Sequence, residues 1–349
     1  MEQTWFGISN KVLYSIIAVI LLLWGLSGLQ EITKIPYDGF FISPDNIVTD
    51  VQPGSPTAVA GLRVGDEVTK IDGIPVESVA GFFEHGRPVI GSPGSITVKR
   101  GGGEQTLQFR YAERPTSEIW RISGASILVG LASLLLGLMV YLRNPTWRSN
   151  ILCLILFAMA AVMLPRPYVH SSLWNRLLNS TTILIMVSLV ALFLVYCLNF
   201  PRQRNILRDK PWLSGLIAVL ALAMGLIVVY INLFQPDMTN TMNLLFNALF
   251  GLVLGGMMLW GILAVAASYF KADASERRAW GLNWMMLGLV IGLLPPVLAI
   301  LIGSIFPRAG QMPWMRIGPI LALAIPLGFA LALMKREPVR QALGEEARA

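Results

Sequence analysis

Val51-Gln-Pro-Gly-Ser-Pro-Thr-Ala-Val-Ala-Gly-Leu-Arg-Val-Gly-Asp-Glu-Val-Thr-Lys-Ile-Asp-Gly-Ile-Pro-Val76 is the stretch on which the fold of this chain turns. Pro53-Gly54-Ser55-Pro56 is turn chemistry, because proline presets φ and glycine admits the left-handed region. It leads into a short helix over Thr57–Ala60. Glu67–Ile71 and Ile74–Val76 read as strands flanking Asp72-Gly73, and Asp-Gly between two apolar runs is a strong hairpin signal. Working outward, Ile47–Val51 alternates apolar and polar, and Glu77–His85 reads as a longer helix with Val79, Phe82 and Phe83 on roughly one side. Ser95–Arg100 and Glu104–Tyr111 form a closing hairpin over Gly101-Gly102-Gly103. Residues 35–113 thus make a small α+β domain, large enough for a core of its own.

The rest of the chain is of another kind. Of its 349 residues 55% are hydrophobic and only 13% charged, against about 25% charged in soluble domains. A deficit of that size places most of the chain in lipid. Eight apolar runs have the length of a membrane helix, of which Ser149–Pro165 is the shortest: Val12–Leu29, Ile122–Leu142, Ser149–Pro165, Thr181–Phe200, Trp212–Phe234, Leu244–Phe270, Trp280–Phe306 and Ile317–Met334. The fold class expected is an α-helical polytopic membrane protein of about eight transmembrane helices, with the α+β domain inserted between helices 1 and 2. The organisation is then residues 1–34 (cytoplasmic N-terminus and first helix), 35–113 (extracytoplasmic domain), 114–334 (a seven-helix bundle) and 335–349 (a short cytoplasmic tail). Lys11 is the only basic residue ahead of the first run, which reads as an uncleaved anchor more than as a signal peptide.

Orientation follows from lysine and arginine. With the N-terminus inside, the cytoplasmic segments and tail hold 14 of the 27 basic residues and the opposite short loops only Arg166, Arg176, Arg308 and Arg316. Dropping the short third run would put Arg202, Arg204, Arg208 and Lys210 outside, so the same rule supports it. Both termini are expected inside and residues 35–113 outside, in a bacterial cytoplasmic (inner) membrane. Trp120, Trp147, Trp174, Trp212, Trp280 and Trp314 fall near run ends, where indole prefers the interface. Gly251-x-x-x-Gly255-Gly256 and Gly288-x-x-x-Gly292 allow close helix packing, and Pro295-Pro296 is expected to kink the seventh helix. Cys153 and Cys197 lie inside apolar runs and read as buried free thiols.

The residues quoted at the outset closely resemble a bacterial PDZ domain, which binds extended peptides by adding them to a sheet edge. In that family the peptide lies between a strand and the longer helix, and a glycine-containing loop offers its amides to the peptide carboxylate. The matching positions are Tyr37-Asp38-Gly39-Phe40, followed by Phe41 and Ile42 as the strand. The resemblance implies peptide binding by Tyr37, Gly39, Phe40, Phe41, Ile42, Val79, Phe82 and Phe83. Asp38 departs from the family, which has an apolar residue there, and its charge would repel a terminal carboxylate unless the side chain points away.

Chemistry is scarce elsewhere. The only histidines are His85 and His170, so neither the H-E-x-x-H zinc site of site-2 metalloproteases nor a rhomboid-like serine–histidine pair within the membrane can be built. The eight runs contain no Asp, Glu, Lys or Arg, which argues against proton-coupled transport. No catalytic residue, metal or cofactor is expected, and the basic balance of +7 belongs to the membrane-facing loops, not to nucleic acid. One span, an outer PDZ and a seven-span bundle resemble the sensory half of PDZ-containing bacterial sensor histidine kinases and membrane serine phosphatases. Only residues 335–349 follow the last run, too few for a catalytic region. The expected function is a non-enzymatic sensor or regulator that binds a peptide or protein segment outside and signals to a cytoplasmic effector on another chain, with homo-oligomers open. The alternatives are a membrane-anchored PDZ adaptor and, third, a transporter-like or lipid-binding bundle with a regulatory PDZ.

Overall fold

A computed structural model describes residues 4–5, 8–43, 46–76, 88–143, 145–167, 172–200, 212–234, 240–305 and 318–334. The chain divides into two compact units, one built from Leu26–Gly124 and Arg166–Arg176, the other from the remainder.

The first unit holds the β-rich domain. Strand β1 (Phe40–Ile42) pairs antiparallel with β2 (Val48–Val51), with a bulge between Phe41 and Ile42. A one-turn helix (Pro56–Val59) follows, its start fixed by Ser55, whose hydroxyl accepts the Ala58 amide at 3.2 Å. Strands β3 (Glu67–Ile71), β4 (Ile74–Pro75), β5 (Pro93–Arg100) and β6 (Gly103–Arg110) form an antiparallel sheet in the order β4-β3-β5-β6. Asp72 and Gly73 both take positive φ, 51° and 80°, and turn β3 into β4 as the sequence predicts. Gly101 and Gly102 do the same between β5 and β6. Val48, Leu62, Val68, Val76, Ile96, Val98, Leu107, Phe109 and Tyr111 are buried together as one core. Each side chain of this size contributes about 1.5–3 kcal/mol by leaving water. The expected helix Glu77–His85, and with it Val79, Phe82 and Phe83, lies outside the described residues.

Two partly buried polar contacts brace the sheet. Arg100 meets both carboxylate oxygens of Asp66 at 2.7 and 2.6 Å and reaches the Gly61 carbonyl at 2.8 Å. Asp66 in turn accepts the Arg63 amide. The Tyr111 hydroxyl donates to Asp72 at 2.7 Å, tying the end of β6 to the hairpin turn.

The second unit is helical. Across the described residues, six helices are long and apolar enough to cross a membrane: Asn10–Ile32, Ser123–Arg143, Leu173–Leu198, Trp212–Ile231, Ala248–Lys271 and Leu282–Ile302. Two of the eight expected runs fall short of that standard. Ser149–Pro165 forms a 17-residue helix, Trp147–Met163, opened by a capping box between Thr146 and Ser149. The last run is divided into Gly318–Leu321 and Ala324–Met334. Pro326 sits just past the break and supplies no amide for a helical bond to Ala322. In the seventh run, where a kink is expected at Pro295-Pro296, the helix widens into a π-helical segment, Leu289–Leu293, just ahead of the prolines.

The Gly288 motif packs helices, and of the first motif Gly255 does, whereas a Cβ on Gly256 would meet none of the described residues within 4 Å. A Cβ on Gly288 would lie 2.7 Å from the Ala324 carbonyl oxygen, and one on Gly328 2.6 Å from that of Trp284, so two backbones touch there. At Gly255 it would meet the Leu301 side chain at 2.8 Å. Tyr196, Phe200, Leu194, Leu198, Leu282, Met285 and Leu289 are among the largest fully buried side chains. Cys153 and Cys197 are buried free thiols. Many side chains left outside this core are apolar, among them Val12, Ile16, Val19, Ile20 and Leu23 of the first helix, as lipid requires and water would not favour.

Candidate peptide-binding site

The end of β6, the short helix and Arg114 hold the loop ahead of β1. Tyr37 exchanges both backbone hydrogen bonds with Ala112, at 3.0 and 3.1 Å, which anchors the loop beside the end of β6. The Asp38 carbonyl accepts the Thr57 hydroxyl at 2.9 Å and the Thr57 amide at 3.2 Å, from the first turn of the short helix. Gly39 has φ of +88°, and a Cβ there would fall 2.1 Å from the Ser55 Cβ, so only glycine fits. Tyr37 is buried beneath the Arg114 guanidinium, which stands 5.8 Å from its ring centre. Burial pushes the Tyr37 phenol up, with a smaller contribution from the Glu118 carboxylate.

The register of β1 fixes which groups it offers. Gly39 O accepts the Gln52 amide and Ser43 N donates to Ile47 O, so the bonded pairs toward β2 fall at Gly39, Phe41 and Ser43. The amides and carbonyls of Phe40 and Ile42 therefore turn to the opposite edge, where the described residues place no strand. That edge is a template for an added strand.

Side chains alternate in the same way. Phe40 and Ile42 pack against the domain core, on the inner face. Phe41 points to the other face, 41% exposed, with the Arg121 guanidinium 5.7 Å from its ring centre. Arg121 also binds Glu118 through two hydrogen bonds of 2.7 Å and lies 3.8 Å from Asp50 on β2. This ion pair holds the Glu118 carboxyl below its ordinary range. Both residues sit in the first turns of the helix Thr116–Arg143. Of the eight residues expected at the groove, the structure brings Tyr37, Gly39, Phe40 and Ile42 together at the loop and inner face, and assigns Phe41 to the outer face.

Sequence reading missed Ser55, Thr57, Arg114 and Arg121. Ser55-Pro-Thr57 was legible as a helix start. Nothing local to Arg121 tells that it folds back onto Phe41.

Residues 47–84 match the PDZ domain family. They cover β2 through β4, the segment whose turns fix the strand register. A search of curated proteins found no match to this chain. The comparison and the geometry together give a PDZ domain in a chain of several long apolar helices, a peptide- or protein-binding module in a membrane-spanning protein.

Proposed function

We propose that this protein is a non-enzymatic membrane sensor or regulator. A peptide or protein segment adds to the open edge of β1, and the helix bundle passes that event to an effector on another chain in the cytoplasm. In this reading all eight apolar runs cross a bacterial cytoplasmic membrane, with the PDZ domain outside and both termini inside. One observation carries the signalling part: the outer face of the groove strand is held by Arg121 of Thr116–Arg143, and that helix continues without interruption into the candidate span Ser123–Arg143. A binding event that shifts β1 by a fraction of an ångström therefore acts on a helix whose lower part lies in lipid. A plain adaptor would need no such link.

The test is hydrogen exchange on the full chain in lipid nanodiscs, with and without a bound peptide. The sensor reading expects altered protection along Thr116–Arg143, and expects Arg121→Ala to keep peptide affinity within about twofold while losing that alteration. Protection confined to Tyr37–Val51 in both proteins would favour an adaptor.

A further inference from the structure

Asp38 departs from the family pattern, and its side chain does not point away from the loop. Its Oδ1 accepts the Gly39 amide at 2.7 Å. Burial pushes its carboxyl up, and the amides of Gly39, Asp38 and Phe40 act in the opposite sense. Backbone amides of a loop turned toward a carboxylate are the chemistry of an anion-binding concavity, and here the carboxylate that takes the Gly39 amide belongs to the loop itself. Resting on the peptide-binding reading above, we propose that Asp38 fills the anion position of its own loop, so that the module takes extended segments internal to a partner chain in place of free C-termini.

The loop has little freedom to vacate that position. Thr57 clamps the Asp38 carbonyl twice, Gly39 is fitted against Ser55, and Tyr37 is tied to Ala112. A terminal carboxylate would have to displace Asp38 or sit against a like charge. Arg114, which stands over the Tyr37 ring, is the cation whose field acts on Asp38. An internal segment meets none of this. It needs the Phe40 carbonyl and the amide and carbonyl of Ile42, all on the open edge, and brings no terminal charge.

The experiment uses the full chain in nanodiscs and a synthetic heptapeptide library in three formats: free carboxylate, carboxamide, and the same sequences embedded between glycine–serine flanks. Wild type is expected to retain the same sequences in all three formats within about twofold. Asp38→Ala uncovers the amides and is expected to prefer free carboxylates by about tenfold or more. Asp38→Asn keeps an acceptor for Gly39 without the charge and is expected to show a smaller gain. A wild type that already prefers free carboxylates tenfold overturns the inference and leaves peptide binding standing. So does an Asp38→Ala protein that melts like the parent and keeps the wild-type ratio. Retention of no format by any of the three proteins overturns the peptide-binding reading, and this inference with it.

Discussion

At the scale of single residues, three carboxylates in one small domain do three different jobs. Asp38 accepts the Gly39 amide of its own loop, and burial holds its carboxyl above the ordinary range despite that hydrogen bond. Asp72 shapes a hairpin and receives Tyr111. Asp66 is nearly buried, and the Arg100 hydrogen bonds hold its carboxyl below the ordinary range. A carboxyl whose folded value lies below its unfolded one contributes stability that is complete above the unfolded value, about pH 4, and is lost as pH falls through the folded value. Asp66→Asn should therefore lower the melting temperature of a soluble fragment of residues 35–114 by several degrees at pH 7 and by much less at pH 3. A fragment whose wild-type and Asn forms differ equally at both pH values would show that the Asp66–Arg100 pair is not the source. Asp38 works in the opposite sense, since a raised value makes protonation favour the folded state as pH falls.

At the scale of elements, the seventh apolar run is where backbone chemistry and packing meet. Pro295 and Pro296 withhold two amides, and the turn before them widens into the π segment Leu289–Leu293. Immediately before it, Gly288 touches the backbone of Ala324–Met334. Replacing both prolines by alanine restores two helical hydrogen bonds and should convert Leu289–Leu293 to regular helix. Hydrogen exchange in that segment should slow, while peptide affinity at the PDZ domain stays within about twofold. Unchanged exchange would assign the π segment to packing at Gly288 instead of to the prolines. The strands of the PDZ domain were legible because their signals are local: Asp72-Gly73, the glycines at 101–103 and Ser55-Pro56 each fix a turn by their own φ values or side-chain hydrogen bonds. The face on which Phe41 lies was not legible. It depends on the register of β1 against β2 and on a helix more than seventy residues further along the chain. Hydropathy likewise found the last apolar run but not its division, because composition averages over Pro326.

At the scale of the whole molecule, the proposed signalling from the edge of β1 to a membrane helix requires the PDZ domain to face outside. The two native cysteines are buried, so an impermeant maleimide should report only on introduced sites. Gly102 has φ of +85° and would be strained by a side chain, which makes its exposed neighbour Glu104 the better position. Glu104→Cys should label in intact cells and Asn205→Cys should not; the reverse would overturn the orientation drawn from the basic residues. The central claim, that an extended segment joins the sheet at β1, is tested most directly by residue-resolved amide exchange of the full chain with a saturating peptide. Strand addition predicts an alternating pattern: the Ile42 amide, turned to the open edge, slows by about tenfold or more, whereas the Phe41 amide, already directed at β2, does not change. Peptide binding that leaves Ile42 unprotected, or that slows Phe41 and Ile42 alike, would contradict it.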